Sequence, residues 1–184
     1  ANLGYQDRLF LNLSGRYDYT SVLPEGENGY FYPSVGVSAI LVNSYGNSLL
    51  DSFDTSLLNY AKLTFSNATV YNDAVGISAI NERYFQSSSF PFGSINGFYL
   101  GGTSVDSSIS KEKLNTSEIG LNLGLLDNKI TLDASYYMTN TTDLLTYVTS
   151  APSAGAESIL TNVGDLEGTG FELSLNAELL KIND

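Results

Sequence analysis

The sequence has no cysteine, no histidine and no tryptophan, and only one methionine and four prolines in 184 residues. Without Cys there is neither a disulfide scaffold nor a thiol nucleophile. Without His as well, the usual zinc sites and imidazole acid–base chemistry are excluded, and no metal site or other cofactor is expected. Basic residues are also scarce: 8 Lys and Arg stand against 20 Asp and Glu, a net charge of −12. Neutralising phosphates takes clustered Lys and Arg, so a nucleic-acid partner is excluded too. No stretch approaches the roughly 18 consecutive apolar residues of a membrane-spanning helix. No charged segment leading into an apolar core opens the chain, so no signal peptide is read in it. Its ends, at Ala1 and Asp184, suggest a piece of a longer polypeptide.

What is present is 13 Tyr, 9 Phe and 17 Gly, with abundant Ser, Thr and Asn. Aromatic and β-branched residues suit a pleated surface, and Gly, Asn and Asp suit turns. Period-two alternation recurs in six places, which is the pattern of strands with one apolar face. Leu9, Leu11, Leu13, Tyr17 and Tyr19 alternate with Phe10, Asn12, Ser14, Arg16 and Asp18. The runs from Phe31 to Leu41 and from Ala61 to Tyr71 follow the same rule. Three cleaner runs come later: Ile119 to Leu125, Ile130 to Met138 and Phe171 to Leu179.

Each apolar face extends for about ten residues, close to the ~9–11 that a tilted strand needs to cross a bilayer. Soluble strands are nearer ~5–6 residues. The fourth and fifth runs are joined only by Leu126-Asp127-Asn128-Lys129, whereas Asn72 to Leu114 and Thr142 to Glu167 are long connections. Short turns on one side and long loops on the other are the habit of outer-membrane barrels. The connection from Asn43 to Leu58 is longer than a tight turn, and Leu49-Leu50 with Leu57-Leu58 suggest a short helix there. The expected fold is therefore all-β, an antiparallel transmembrane β-barrel segment of about six long strands.

The stretch from Asn162 to Leu175, NVGDLEGTGFELSL, resembles the NxGxxxNxGxExxL segment of SusC/RagA-type TonB-dependent outer-membrane transporters. Leu114 to Tyr137 is similar to the hairpin before that segment, and Thr141 to Leu145 to the end of its second strand. Phe31 to Val35 resembles an FPS strand start, and Leu63 to Asn67 sits where the family has LRASYG. Gly168 stands where the family often has Asn, and Ile109 to Leu114 lacks the Trp of its LKWE segment. The resemblance implies the C-terminal part of a larger barrel, of about 22 strands, with residues 1–184 as one fragment lacking the plug domain and the final strands. It implies non-enzymatic import of oligosaccharide or peptide cargo across the outer membrane of a Gram-negative, Bacteroidetes-like bacterium. The partners would be outer-membrane lipid, a SusD-like lipoprotein lid and, through the missing N-terminal parts, the TonB system.

Two groups of residues are candidates for contact with cargo, lid or plug. Tyr84, Phe85, Phe90, Phe92 and Tyr99, with Phe98 among them, lie in the longest connection, where rings can stack on sugars, grip peptides or meet a partner protein. The bland alternative is that they pack the loop on itself. Arg16, Asp18, Asp133, Glu172, Asn176 and Glu178 fall on polar strand faces and would face the lumen, either meeting solute or forming ordinary wet barrel interior. Strand-face acids lack the defined separation a glycosidase needs. Asp106, Glu157, Asp165 and Glu167 have no EF-hand spacing, so calcium binding is only a weak reading. Two rivals remain: a soluble or surface-attached β-sandwich for carbohydrate binding or adhesion, and a siderophore-type TonB-dependent receptor. What covers the apolar face separates the sandwich from the barrel.

Overall fold

The computed structural model describes residues 1–178 except 45, 47–48, 51–56, 74–75, 77–78 and 93–94; the side chains of 88–92 and 152 also lie outside the description. Seven strands form one antiparallel sheet in the order β1-β2-β3-β4-β8-β9-β12. They are β1 (Asn2–Tyr5), β2 (Leu9–Tyr19), β3 (Gly29–Asn43), β4 (Leu58–Asn72), β8 (Glu112–Leu125), β9 (Ile130–Thr142) and β12 (Leu166–Ala177). The six long strands coincide with the six alternating runs. Four residues of β1 were too few to register as a run.

Two hairpin turns carry positive φ at positions suited to Asp and Asn. Gln6-Asp7 turns β1 into β2, and Asp127-Asn128 turns β8 into β9. Both lie at the end of the sheet where β3 ends and β4 begins. The connections 20–28, 73–111 and 143–165 all leave the opposite end. The short helix suggested around Leu49 to Leu58 falls largely outside the described residues. At its edges Leu49 and Leu50 donate backbone N–H groups to Ile40 and Leu41, and Leu58 opens β4.

The alternation in β3 is interrupted. A bulge between Ile40 and Val42 puts Val42 opposite Ala61. A bulge leaves its extra residue unpaired and shifts the phase beyond it. Val42, 2% exposed, therefore joins the apolar face where simple alternation had placed Leu41. A second bulge lies between Leu58 and Tyr60. The buried Asn59 at that point accepts the backbone N–H of Asp127, tying the β8–β9 turn to β4.

The long connections are not bare loops. The first carries β5 (Tyr84–Phe92), β6 (Ile95–Leu100) and β7 (Thr103–Val105). The second carries β10 (Leu145–Thr149), a 3-10 turn (Pro152–Ala154) and β11 (Ser158–Asn162). β5 and β6 form a hairpin, while β7 pairs in parallel with β11 and so joins the two connections into one sheet, β10-β11-β7. Ile109, Ala156 and Leu160 of these connections are buried, as is Leu23 of the connection 20–28 at the same end. On the main sheet the buried apolar residues among those described are Tyr30, Val42 and Ala61, and most of the apolar face is open. Phe171, Leu173 and Leu175 are each more than 60% exposed, and no second sheet covers their face among the described residues. That is contrary to a sandwich, in which this face would be buried.

Candidate functional site

Cross-strand register sorts the sheet into two faces. Leu11, Val37, Phe65, Ile119, Tyr136 and Phe171 form one unbroken row across six strands. The opposite face carries the polar partners. Asn122, Asp133 and Ser174 lie in one row, and Gly120, Ser135 and Glu172 in the next. Asn122 donates to the Asp133 carboxylate at 2.6 Å. Asp133, Glu172 and Glu118 border a shallow cavity of about 370 Å³ on this face. Asn176, opposite Thr131, continues the same face, whereas Glu178 lies one residue beyond β12, its backbone N–H bonded to Lys129. Arg16 and Asp18 share this face but sit strands away. Arg16 pairs with Asp18 at 2.9 Å and its guanidinium lies 4.5 Å from the Tyr32 ring centre. The structure thus gathers Asp133 and Glu172 and leaves the Arg16–Asp18 pair apart.

In the β5–β6 hairpin, Phe85 faces Tyr99 and Tyr84 faces Leu100. The Phe85 and Tyr99 rings stack 5.8 Å apart at 30°. All three rings of Tyr84, Phe85 and Tyr99 are about half exposed or more, as is Phe98. The side chains of Phe90 and Phe92 lie outside the described residues. Arg83 had drawn no attention in the sequence, and Glu157 had been weighed only as a weak calcium candidate. Arg83 and Phe85 line one cavity, Tyr99 and Glu157 line another, and Gly102 borders both. The neighbouring Gly101-Gly102 pair is the sequence feature that marks the place. A Cβ on Gly101 would come within 2.9 Å of the Phe85 ring and 3.3 Å of the Arg83 carbonyl, so glycine lets the chain pass under the stack.

Side chains fasten the two long connections to each other. Asn162 accepts the Ser110 N–H at 2.7 Å, and its amide donates to the carbonyls of Ser110 at 2.9 Å and Asp143 at 2.7 Å. Asp106 accepts from the Ser108 hydroxyl and N–H and from the Thr161 hydroxyl. These bonds, the Ser108 hydroxyl foremost, hold the Asp106 carboxyl below its ordinary pKa. Glu112 accepts the Leu145 N–H at 3.1 Å. Of the other acids weighed for calcium, Asp165 accepts the Asp143 N–H, Glu157 borders the loop cavity, and Glu167 lies in β12 opposite Asn140.

An open antiparallel sheet with one exposed apolar face, turns at one end and folded loops at the other is the wall of a barrel. Residues 1–183 match the family model for the TonB-dependent receptor-like β-barrel. The chain belongs to that family. TonB-dependent receptors are outer-membrane proteins of Gram-negative bacteria. TonB-dependent receptor P26 of Formosa agariphila is 28% identical over 179 residues, covering 95% of this chain and 17% of the relative. Receptor P39 of the same organism is 25% identical over 191 residues, covering 98% and 17%. The chain thus spans less than a fifth of these curated relatives. The RagAB peptide importer in its closed-closed state superposes on the whole chain with a TM-score of 0.83 at 22% identity, over 19% of the solved chain. The siderophore receptor PirA from Pseudomonas aeruginosa gives 0.62 at 13% identity, over 98% of this chain and 30% of its own. These superpositions establish the fold of a TonB-dependent barrel segment.

Proposed function

We propose that this chain is the barrel wall and outer loops of a SusC/RagA-type importer of peptides or oligosaccharides, in a Bacteroidetes-like outer membrane. Its partners are then a SusD-like lipoprotein over the loops and the TonB system, reached through a plug outside these 184 residues. The reading is non-enzymatic: residues 1–184 are one part of a single barrel domain, and the missing strands close it.

The observation that carries this reading is the exposed apolar band and its slant. On β2, apolar side chains continue from Leu11 up to Tyr17 and Tyr19. On β12, Phe171 in the same row is already the top of the band, with Thr169 and Glu167 above it. The upper edge falls by six residues from Tyr17, or eight from Tyr19, over five inter-strand steps, about 20–27 Å along the strands against about 24 Å across them. That is a tilt of about 40–50°, close to the range of membrane barrels. The face with Arg16, Asp18, Asp133, Glu172 and Asn176 then lines the lumen. Connections 73–111 and 143–165 lie outside, where cargo and lid approach.

The higher TM-score to a peptide importer than to a siderophore receptor favours nutrient import over siderophore uptake. In the intact transporter, replacing Tyr84, Phe85, Phe90, Phe92 and Tyr99 by Ala should weaken cargo or lid binding while barrel assembly is kept. Unchanged binding would remove the loop from the account.

A further inference from the structure

The β5–β6 hairpin and the chain just before β11 bring an aromatic stack and two charges of opposite sign to two adjoining cavities. Phe85 and Arg83 line a cavity of about 320 Å³, and Tyr99 and Glu157 line a second of about 350 Å³. Each is at the small end of the ~300–1,000 Å³ of ligand pockets. They meet at Gly102, where a Cβ would lie 3.7 Å from the Glu157 carboxylate. The backbone is held on both sides of this saddle: Gly101 donates to the Arg83 carbonyl at 2.8 Å, and Glu157 donates to the Gly102 carbonyl at 2.9 Å. Among the described residues, no ion pair joins Arg83 and Glu157 to each other or to a third group.

We propose that this saddle is a subsite for a short zwitterionic peptide segment, its carboxylate toward Arg83, its ammonium toward Glu157 and an apolar side chain on the Phe85–Tyr99 stack. The assignment rests on the loop reading above and deepens it by naming the ligand. A neutral glycan could use the rings, but it would cover both charges without pairing either, and an unpaired desolvated charge costs free energy. An anionic glycan would meet a chain of net charge −12. A zwitterion satisfies both charges at once, and stacking supplies area that exposed ion pairs do not.

The test uses the intact transporter with its lid, at low ionic strength. The probes are one short apolar peptide with free ends, the same peptide N-acetylated, C-amidated or blocked at both ends, and a neutral linear oligosaccharide of similar length. Arg83→Gln should weaken ligands with a free carboxylate about 2–5-fold, the range for an exposed charge pair, and leave amidated ones unchanged. Glu157→Gln should weaken ligands with a free ammonium by a similar factor and spare acetylated ones. The proposal is overturned by equal losses on free and blocked peptides, by no loss, by a response to only one charge, or by binding of the oligosaccharide alone. Phe85→Ala and Tyr99→Ala separate the two levels. If they weaken every ligand while the charge variants do nothing, the loop reading stands and the zwitterion subsite fails. If the aromatic variants also do nothing, both fail.

Discussion

Single residues account for much of the segment that resembled a transporter motif. Asn162, the first residue of that stretch, makes three bonds that mimic a strand pairing with Ser110 and reach Asp143. Each is worth about 1 kcal/mol net, and a buried group left unpaired costs more. Asn162→Ala should therefore loosen both long connections together. Hydrogen exchange at 103–111 and 143–162 should rise in parallel, with the main sheet unaffected; a rise in one segment alone would contradict the clamp. Gly170 has a different reason. A Cβ there would collide with the Tyr137 ring across the β9–β12 ladder. Gly170→Ala should destabilise by about 1–3 kcal/mol, as overpacking does. Adding Tyr137→Ala should recover part of the loss, measured by urea resistance of the assembled barrel.

At the scale of elements, the sheet breaks where its chemistry requires. The β3–β4 ladder stops at Ser34–Ala68, one residue before Pro33, which has no N–H to donate. Beyond that point Tyr30, Tyr32 and Tyr71 meet with ring centres 5.7–6.1 Å apart. The Lys111 ammonium sits 5.7 Å from two of those rings and bonds the Gly29 carbonyl at 3.1 Å. The loop sheet has its own pH sensitivity. The Asp106 carboxyl is held below its ordinary pKa in the folded chain, so its contribution is present above the unfolded value, about 3.9, and is lost as pH falls through the folded one. Amide protection at 104–109, taken relative to the intrinsic exchange rate at each pH, should stay flat from neutral pH to near that value and fall below it. Asp106→Asn should abolish the pH step; a step that survives the substitution assigns it to another group.

For the whole molecule, the two ends of the sheet decide what the chain can do alone. Among the described residues β1 and β12 are unpaired edges, and in hydrocarbon each unsatisfied backbone group costs several kcal/mol. Residues 1–184 expressed without detergent should aggregate; a soluble monomer with a cooperative unfolding transition would refute the membrane reading. Leu173 and Ser174 are adjacent on β12 and point to opposite faces. In the intact protein, Leu173→Arg should cost about 2–4 kcal/mol near mid-membrane and impair assembly, whereas Ser174→Arg should be tolerated. The opposite order would reverse the assignment of faces.

Alternation determined six strands and which side chains share a face, because period two leaves little choice once one face is apolar, and the short turns and long connections between the runs gave the antiparallel arrangement. Leu41 and Val42 mark where that stopped, since a bulge is set by pairing with β4 and leaves no local trace in composition. The aromatic residues of the longest connection were visible as a cluster. The stacking of Phe85 on Tyr99, and the presence of Arg83 and Glu157 beside them, were not. Glu157 reaches that site only because β11 pairs in parallel with β7, fifty-five residues away in sequence. Such a contact is specified by tertiary packing around Leu160 and Ile109, and no local pattern encodes it.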